Sequence, residues 1–329
     1  MFEFTAKFLP LLFKLITMYA LNMIWNPSEG IDLGFFMLRY YSLTWVVAFA
    51  LGFYVTKKIF IRENESMEKL DSLFIYTIIA TMLGARLGHV LFYQPELFKQ
   101  DFLSVFLPIR TNPEFHFTGF SGLASHGAAI AIVITMIYYS RKVIKKSLLW
   151  VLDRISPAIA LGAIFIRLGN FFNSEIYGTK TTASNPFGVK FIQEEEFWEL
   201  NSIHAITRNA DLKEAYKIIE TDPQFSGVVD FIPYRHPAQL YEAFGYVLVF
   251  IIVWLMYWKT DARNRQGLLF GVFLILLWSV RFVVEFVKVS QGGFEGANPI
   301  LSTGQWLSIP FILAGIYLII RSNNAKPMA

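Results

Sequence analysis

The stretch GFSGLASHGAAIAIVITMIYYSRK, residues 119–142, decides the fold class of this chain. It is apolar over the roughly 20 residues that a helix needs to cross about 30 Å of hydrocarbon. It nevertheless carries an ionisable histidine, His126, near its start. Ionisable side chains are costly in hydrocarbon and normally face a bundle interior or an aqueous cavity. The stretch therefore predicts a membrane-spanning helix and a functional position on it.

The rest of the chain has the same character, because 55% of its 329 residues are hydrophobic and only 16% are charged. This hydrophobic fraction is higher than that of most water-soluble domains. Seven segments are long and apolar enough to span a bilayer: 35–55, 70–93, 119–140, 148–172, 237–258, 267–288 and 304–320. We predict an all-α polytopic membrane protein with about seven transmembrane helices. The absence of cysteine excludes disulfides, thiolate metal sites and a cysteine nucleophile.

The orientation follows from the basic residues, because cytoplasmic loops carry an excess of lysine and arginine. Alternate loops hold them: Lys57, Lys58, Arg62 and Lys69, then Arg141, Lys142, Lys145 and Lys146, then Lys259, Arg263 and Arg265, and finally Arg321 and Lys326. This pattern predicts a periplasmic amino terminus and a cytoplasmic carboxyl terminus. It divides the chain into helices 1–4 (23–172), a small periplasmic subdomain (173–236), helices 5–7 (237–321) and a cytoplasmic tail (322–329).

Residues 1–22 are apolar but are interrupted by Lys7, Pro10 and Lys14, and they lack a small-residue cleavage site. A signal peptide is therefore not predicted. We expect an interfacial amphipathic helix. The alternative is an upstream extension, with the true translation start at Met18 or Met23 rather than Met1.

Polar side chains within the predicted helices converge on one side of the membrane. Each lies within about seven residues of the outer boundary, or roughly 10 Å at 1.5 Å per residue. They are Arg39, Tyr40, Tyr41, Arg86, His89, His126, Arg167, Asn170, His236, Tyr241, Glu242, Arg281 and Glu285. So many in one shallow layer predict a cavity beneath the outer surface.

Structural interpretations compete with this one. Arg281 and Glu285 are spaced i,i+4 and could neutralise each other, and Arg39 could extend its head to the interface. His126 could be a packing histidine, although the small residues beside it, such as Gly127, would let a neighbouring helix or a ligand approach closely. At the cytoplasmic end of the fourth segment, Asp153 with Arg154 favours a structural role.

Arginines beside a histidine suit one kind of ligand, because planar guanidinium groups bind phosphate oxygens in a bidentate manner. A phospholipid head group is the anion available at this depth. Carboxylate clusters of the kind that hold divalent metals are absent from the predicted helices. We therefore expect no metal and no cofactor, and no nucleic-acid partner.

The segment IRLGNFFNSEIYG, residues 166–178, resembles the signature of prolipoprotein diacylglyceryl transferases, G-R-x-G-N-F-x-N-x-E-x-x-G. Further blocks that resemble this family are GARLGHVLFY (84–93), SHGAAI (125–130), RHPAQLYEA (235–243) and RFVVEF (281–286). The resemblance runs from about residue 23 to residue 321. The chain departs from the pattern at Ile166, where the family has glycine, and at Ala128, where many members have a second glycine.

The resemblance implies a seven-helix inner-membrane enzyme. Such an enzyme moves the sn-1,2-diacylglyceryl group of phosphatidylglycerol to the lipobox cysteine in the signal peptide of a preprolipoprotein, and glycerol phosphate leaves. It implies that His126, Arg167 and Arg281 are catalytic. Together with the polar layer, it indicates substrate-binding roles for Arg167 and for Tyr41, Arg86, Gly127, Asn170, Glu175, Gly178, His236, Tyr241, Glu242 and Glu285.

The chemistry does not decide which group removes the proton of the substrate thiol. Only the thiolate of a cysteine attacks efficiently, and an ordinary thiol is mostly protonated at neutral pH. His126 could take the proton. Alternatively, the arginines lower the pKa of the thiol and His126 only orients groups.

Two other classes of function are possible. GFSG, residues 119–122, matches the short G-x-S-G motif of rhomboid-like intramembrane serine proteases, with Ser121 as the nucleophile. A transporter of an anionic solute could use the same arginines, but it would need access from both faces of the membrane.

Overall fold

The structure is a computed structural model that describes residues 23–34, 37–107, 109–111, 114–117, 122–200, 202–290 and 300–324. Seven helices in this part are long and apolar enough to cross a membrane, and we call them the first to the seventh span. They are Tyr40–Arg62, Met67–Tyr93, Ser125–Ile144, Leu148–Phe172, Ala238–Lys259, Leu268–Val287 and Thr303–Asn324. The predicted polytopic helical fold is confirmed. The expected interfacial helix at 1–22 and Ser121 of the protease alternative lie outside the described residues.

The fourth span, Leu148–Phe172, has the predicted bounds, whereas each of the other spans begins or ends at a different residue from the one that hydropathy predicts. The first span begins at Tyr40 and continues to Arg62, because its basic last turns remain helical although they are too polar for a hydropathy window. The third span begins at Ser125 and ends in a π-helical turn, Tyr139–Ile144, which Lys145 terminates at a φ of 56°. Helix ends are therefore set by local backbone geometry rather than by apolar length.

The described part of the chain also contains eight short strands: β1 (Met23–Trp25), β2 (Gly30–Asp32), β3 (Met37–Arg39), β4 (Ile109–Arg110), β5 (His116–Phe117), β6 (Lys180–Thr181), β7 (Val189–Phe191) and β8 (Tyr234–Arg235). One sheet has the order β1-β7-β8-β6, with β1 parallel to β7 and the other pairs antiparallel. The remaining strands form two antiparallel pairs, β2-β3 and β4-β5. Strands of two or three residues are too short for alternation in the sequence to reveal them.

Short helices fill the loops between the spans. Leu97–Gln100 and Phe102–Phe106 lie between the second and third spans, and a 3₁₀ turn, Asp261–Asn264, precedes the sixth. Between the fourth and fifth spans are Glu195–Leu200, Ile203–Thr207, Leu212–Thr221, the 3₁₀ turn Pro223–Phe225 and Ser226–Phe231. Their apolar faces enclose a separate core of Ile192, Ile203, Ala215, Ile219, Val229 and Ile232. The polar segment predicted as a subdomain thus has its own packed interior.

The chain divides into two compact units. The first unit comprises Met1–Gly52 with Ser156–Ala329, and the second unit comprises Phe53–Ile155. The first and fourth spans contribute residues to both units. Candidate site residues occur in each unit.

Candidate active site

A buried ion pair joins the fourth and fifth spans in the first unit. Glu242 is fully buried, and its Oε2 lies 2.5 Å from Nε of Arg167. The Nη1 of Arg167 donates to Oδ1 of Asn170 at 3.1 Å. A buried carboxylate is tolerated only when it is paired. Glu242 and Asn170 therefore both hold Arg167, and Glu242 carries a full opposite charge.

The hydrogen-bond chain continues through the signature segment. Asn170 Nδ2 donates to Oε1 of Glu175 at 2.7 Å. The backbone carbonyl of Glu175 accepts from Nε2 of Gln239 in the fifth span at 2.6 Å. The chain turns sharply here, since Ser174 and Ile176 both have positive φ. The signature thus fixes the exit from the fourth span against the fifth.

Gly178 occupies a position where two other segments meet. Its N–H donates to the carbonyl of His236 at 2.7 Å, and it forms an isolated antiparallel bridge with Lys288. A Cβ at residue 178 would lie 2.6 Å from the Cβ of His236. Glycine is required here because backbones approach closely. The predicted substrate-binding residue Gly178 thus lies at a backbone junction.

Lys288 is a basic group of this site that the sequence analysis missed. Its side chain is only 4% exposed, and its Nζ lies 3.6 Å from Oε2 of Glu285 and 4.0 Å from Oε1 of Glu242. Burial lowers the pKa of Lys288, the carboxylates of Glu242 and Glu285 oppose this shift, and the charges of Arg167 and Arg281 reinforce it. Its spacing i,i+3 from Glu285 was the available signal, but the residue was interpreted as the end of a span.

Arg281 has a different environment from Arg167. Its guanidinium lies over the ring of Trp278, 5.4 Å from the centroid, and its buried Nε has no hydrogen-bond partner. Within the described ranges, no carboxylate lies within 4.0 Å of it, and Glu285 contacts Lys288 instead. The interpretation of Arg281 and Glu285 as a self-neutralising pair is therefore wrong. A guanidinium with unused donors is suited to binding an anion.

The remaining predicted residues of the first unit make separate contacts. His236 Nδ1 lies 3.3 Å from Nδ2 of Asn185 and 3.2 Å from the hydroxyl of Tyr241. Burial lowers the pKa of His236, which agrees with an unprotonated Nδ1 that accepts a hydrogen bond from the Asn185 amide. Tyr41 packs on Gly169, where a Cβ would lie 2.9 Å from the Tyr41 ring. Arg39 lies in β3, is exposed and is 3.9 Å from Glu29, a weak surface pair.

In the second unit, His126 lies at the start of the third span. It is exposed and packs against Phe92 and Tyr93 of the second span, with ring centroids 4.9 Å and 6.0 Å away. The next residue, Gly127, is buried, and a Cβ on Gly88 would lie 2.6 Å from its Cα. The small residues beside His126 thus allow a neighbouring helix to approach closely. The sequence had left open whether a helix or a ligand would do so.

Arg86 of the second unit contacts backbone. Its Nη2 donates to the carbonyl of Ser104 and its Nη1 to the carbonyl of Gly122 at 3.4 Å. Gly122, at a φ of 65°, is three residues before the first residue of the third span. Arg86, predicted to bind substrate, thus holds two loop segments near the start of the helix that carries His126.

Asp153 and Arg154 are both buried at the start of the fourth span, and Arg154 Nη2 lies 3.2 Å from Glu63. The structural role predicted for them agrees with this arrangement. Among the residues that the structure describes, no three histidine or carboxylate side chains are grouped as a metal site requires.

The chain is similar to known proteins over most of its length. Residues 29–321 match the family described as prolipoprotein diacylglyceryl transferase. A protein of Chloroherpeton thalassium is 36% identical over 301 residues, covering 91% of this chain and 94% of its own. One of Porphyromonas gingivalis is 39% identical, covering 83% and 84%, and one of Tolumonas auensis is 34% identical, covering 92% and 99%. All three carry the name phosphatidylglycerol–prolipoprotein diacylglyceryl transferase.

Proposed function

The chain belongs to the prolipoprotein diacylglyceryl transferase family, and from this membership we propose that it transfers a diacylglyceryl group from phosphatidylglycerol to a prolipoprotein. The match across residues 29–321 carries this proposal. It makes the chain a multi-pass membrane transferase of lipoprotein biosynthesis.

The phosphate of the lipid head group is the part of the substrate that the arginines suit. Arg281 has unused donors and no carboxylate within 4.0 Å in the described ranges, which supports its assignment to the phosphate. Arg167 already pairs with Glu242 through Nε, so its role is to present its remaining N–H donors to the phosphate from a fixed position. A preorganised guanidinium stabilises charge that gathers on a leaving phosphate more effectively in a water-poor site than in water.

The acceptor is the thiol of the lipobox cysteine in the signal peptide. Its sulfur attacks the glyceryl carbon that carries the phosphate and forms a thioether. The carbon–oxygen bond breaks, its electron pair stays on the phosphate oxygen, and glycerol phosphate leaves. The thiol proton passes to a base, for which His126 is the candidate, or it is lost earlier because nearby arginines favour the thiolate.

The location of the enzyme follows from the lysine and arginine bias of its loops. We assign it to the bacterial inner membrane, with the amino terminus, the segment 173–236 and the active site on the periplasmic side and the carboxyl terminus in the cytoplasm.

The decisive test is a transfer assay with purified protein, phosphatidylglycerol vesicles and a synthetic lipobox peptide. We expect mass spectrometry to detect the peptide with one added diacylglyceryl group and an equal amount of glycerol phosphate. A peptide with serine in place of cysteine is the matched control and should remain unmodified. Folded, monodisperse protein that yields no adduct would contradict the proposal.

A further inference from the structure

We propose that Lys288 is a positioning residue of this site, which holds Glu285 and Glu242 away from Arg281 and so leaves that guanidinium open for the lipid phosphate. This inference rests on the proposed function, because it explains how the assigned anion-binding arginine remains available.

The first step is the distribution of carboxylate oxygens among the basic groups. Glu242 directs Oε2 to Arg167 and Oε1 to Lys288, and Glu285 directs Oε2 to Lys288. Both carboxylates are thereby engaged by cations other than Arg281. Glu175 accepts hydrogen bonds from neutral amides. The unneutralised positive charge of the cluster therefore lies on Arg281.

The second step is that this distribution is not the one that local spacing favours. Arg281 and Glu285 are one helical turn apart, and such pairs ordinarily attract each other. Here the α-helix ends at Val284, and a 3₁₀ turn, Glu285–Val287, follows. This tighter turn carries Glu285 toward Lys288, three residues ahead.

The third step is that two further elements hold this arrangement. The Glu285 carboxylate packs against Gly304 of the seventh span so closely that any Cβ there would collide with it. The backbone around Lys288 is fixed by its bridge to Gly178 and by the N–H of Thr179, which donates to the carbonyl of Val287 at 2.8 Å. These contacts anchor the backbone from which the Lys288 side chain extends to the two carboxylates.

A double-mutant cycle tests the inference, with the dissociation constant for short-chain phosphatidylglycerol as the readout. In the native chain, Lys288→Met frees Glu285 to pair with Arg281, so we expect binding to weaken by about tenfold or more, the range of a charge-assisted hydrogen bond. In a Glu285→Gln background the same change should weaken binding less than about threefold, because the competing carboxylate is absent. Lys288→Arg should restore most of the native affinity.

Equal weakening in both backgrounds, or none in the native chain, would overturn the inference, because Lys288 would then act on the lipid directly or not at all. If Lys288→Met does not fold, Lys288→Arg decides alone, since loss of affinity with a preserved charge would also overturn it. The proposed function fails separately, when native protein that binds phosphatidylglycerol does not modify the lipobox peptide.

Discussion

The two arginines of the site differ in what surrounds them, although the family resemblance gives both the same role. Arg167 is paired with a fully buried carboxylate, whereas Arg281 lies over an aromatic ring. Removing one partner of a buried pair leaves the other charge uncompensated. Removing a cation that has no such partner leaves no uncompensated charge in the interior. The two residues should therefore respond differently to the same substitution.

We expect Arg167→Ala to lower the free energy of unfolding by about 3–5 kcal/mol, because Glu242 would remain buried without its partner. Arg281→Ala should unfold close to the native temperature but lose about 10²–10³-fold in transfer rate, the usual effect of removing one charge-stabilising donor. Arg281→Lys should recover little of this loss, because an ammonium cannot replace the planar fork. Thermal unfolding in detergent and the peptide assay measure the two effects. Equal destabilisation by both alanine variants would contradict this division.

At the residue scale, the sequence predicted part of the contact network of the site. Arg167, Asn170 and Glu175 were identified from one short segment, and the structure joins them by hydrogen bonds. The partner of Arg167 comes from another span, so no local pattern could indicate it. Lys288 was missed because hydropathy treats a terminal lysine as a boundary, although its ammonium is buried.

Among the elements, the crossing of the second and third spans depends on glycine. Gly84 and Gly88 of the second span face Gly127 of the third, and their backbones are in contact. Small residues allow such close approach in membranes, where van der Waals packing rather than hydrophobic exclusion holds helices together. This contact also fixes the helix start that carries His126.

Gly88→Ala should separate these two spans, because the added Cβ would lie 2.6 Å from the Cα of Gly127, which is backbone and cannot move alone. We expect a loss of about 1–3 kcal/mol, the usual cost of overpacking. Gly162→Ala in the fourth span is the matched control, since its nearest neighbour, the Cβ of Ala48, would be 3.9 Å away. Unfolding temperatures of the two variants in one detergent provide the comparison. Similar temperatures for both would show that the crossing tolerates a methyl group.

Elements with a strong apolar signal were predictable, and those defined by turns were not. Among the described residues, seven long helices overlap the seven predicted apolar segments. The 3₁₀ turn at Glu285–Val287 and the π-helical turn at Tyr139–Ile144 leave no mark in hydropathy. The 3₁₀ turn brings Glu285 to Lys288 rather than to Arg281. The backbone conformation of three residues therefore changes which charged groups of the site pair with each other.

For the molecule as a whole, composition was enough to predict a polytopic membrane protein, and the positions of lysine and arginine predict its orientation. The orientation can be measured cleanly, because the native chain contains no cysteine. Single cysteines then report their side of the membrane without background. Two exposed lysines, Lys142 at the end of the third span and Lys217 between the fourth and fifth, are suitable positions.

We expect Lys217→Cys to react with a membrane-impermeant maleimide in intact spheroplasts. Lys142→Cys should react only after the membrane is permeabilised, because its loop belongs to the basic, cytoplasmic set. The cysteine-free chain is the control for labelling of other proteins. The opposite labelling pattern would show that the topology is inverted, and the proposed active site would then not lie on the periplasmic face.

The parallel pairing of β1 with β7 has a consequence for how the molecule is made. Asn26 and Gln193, just beyond these strands, are hydrogen-bonded although they are 167 residues apart. At about 5–20 residues per second, a ribosome needs on the order of ten seconds or more to supply that length. Strand β1 therefore cannot pair with β7 until four spans have been synthesised. Closure of the sheet is a late event in biogenesis, and a nascent chain arrested before residue 189 would hold its first strand without a partner.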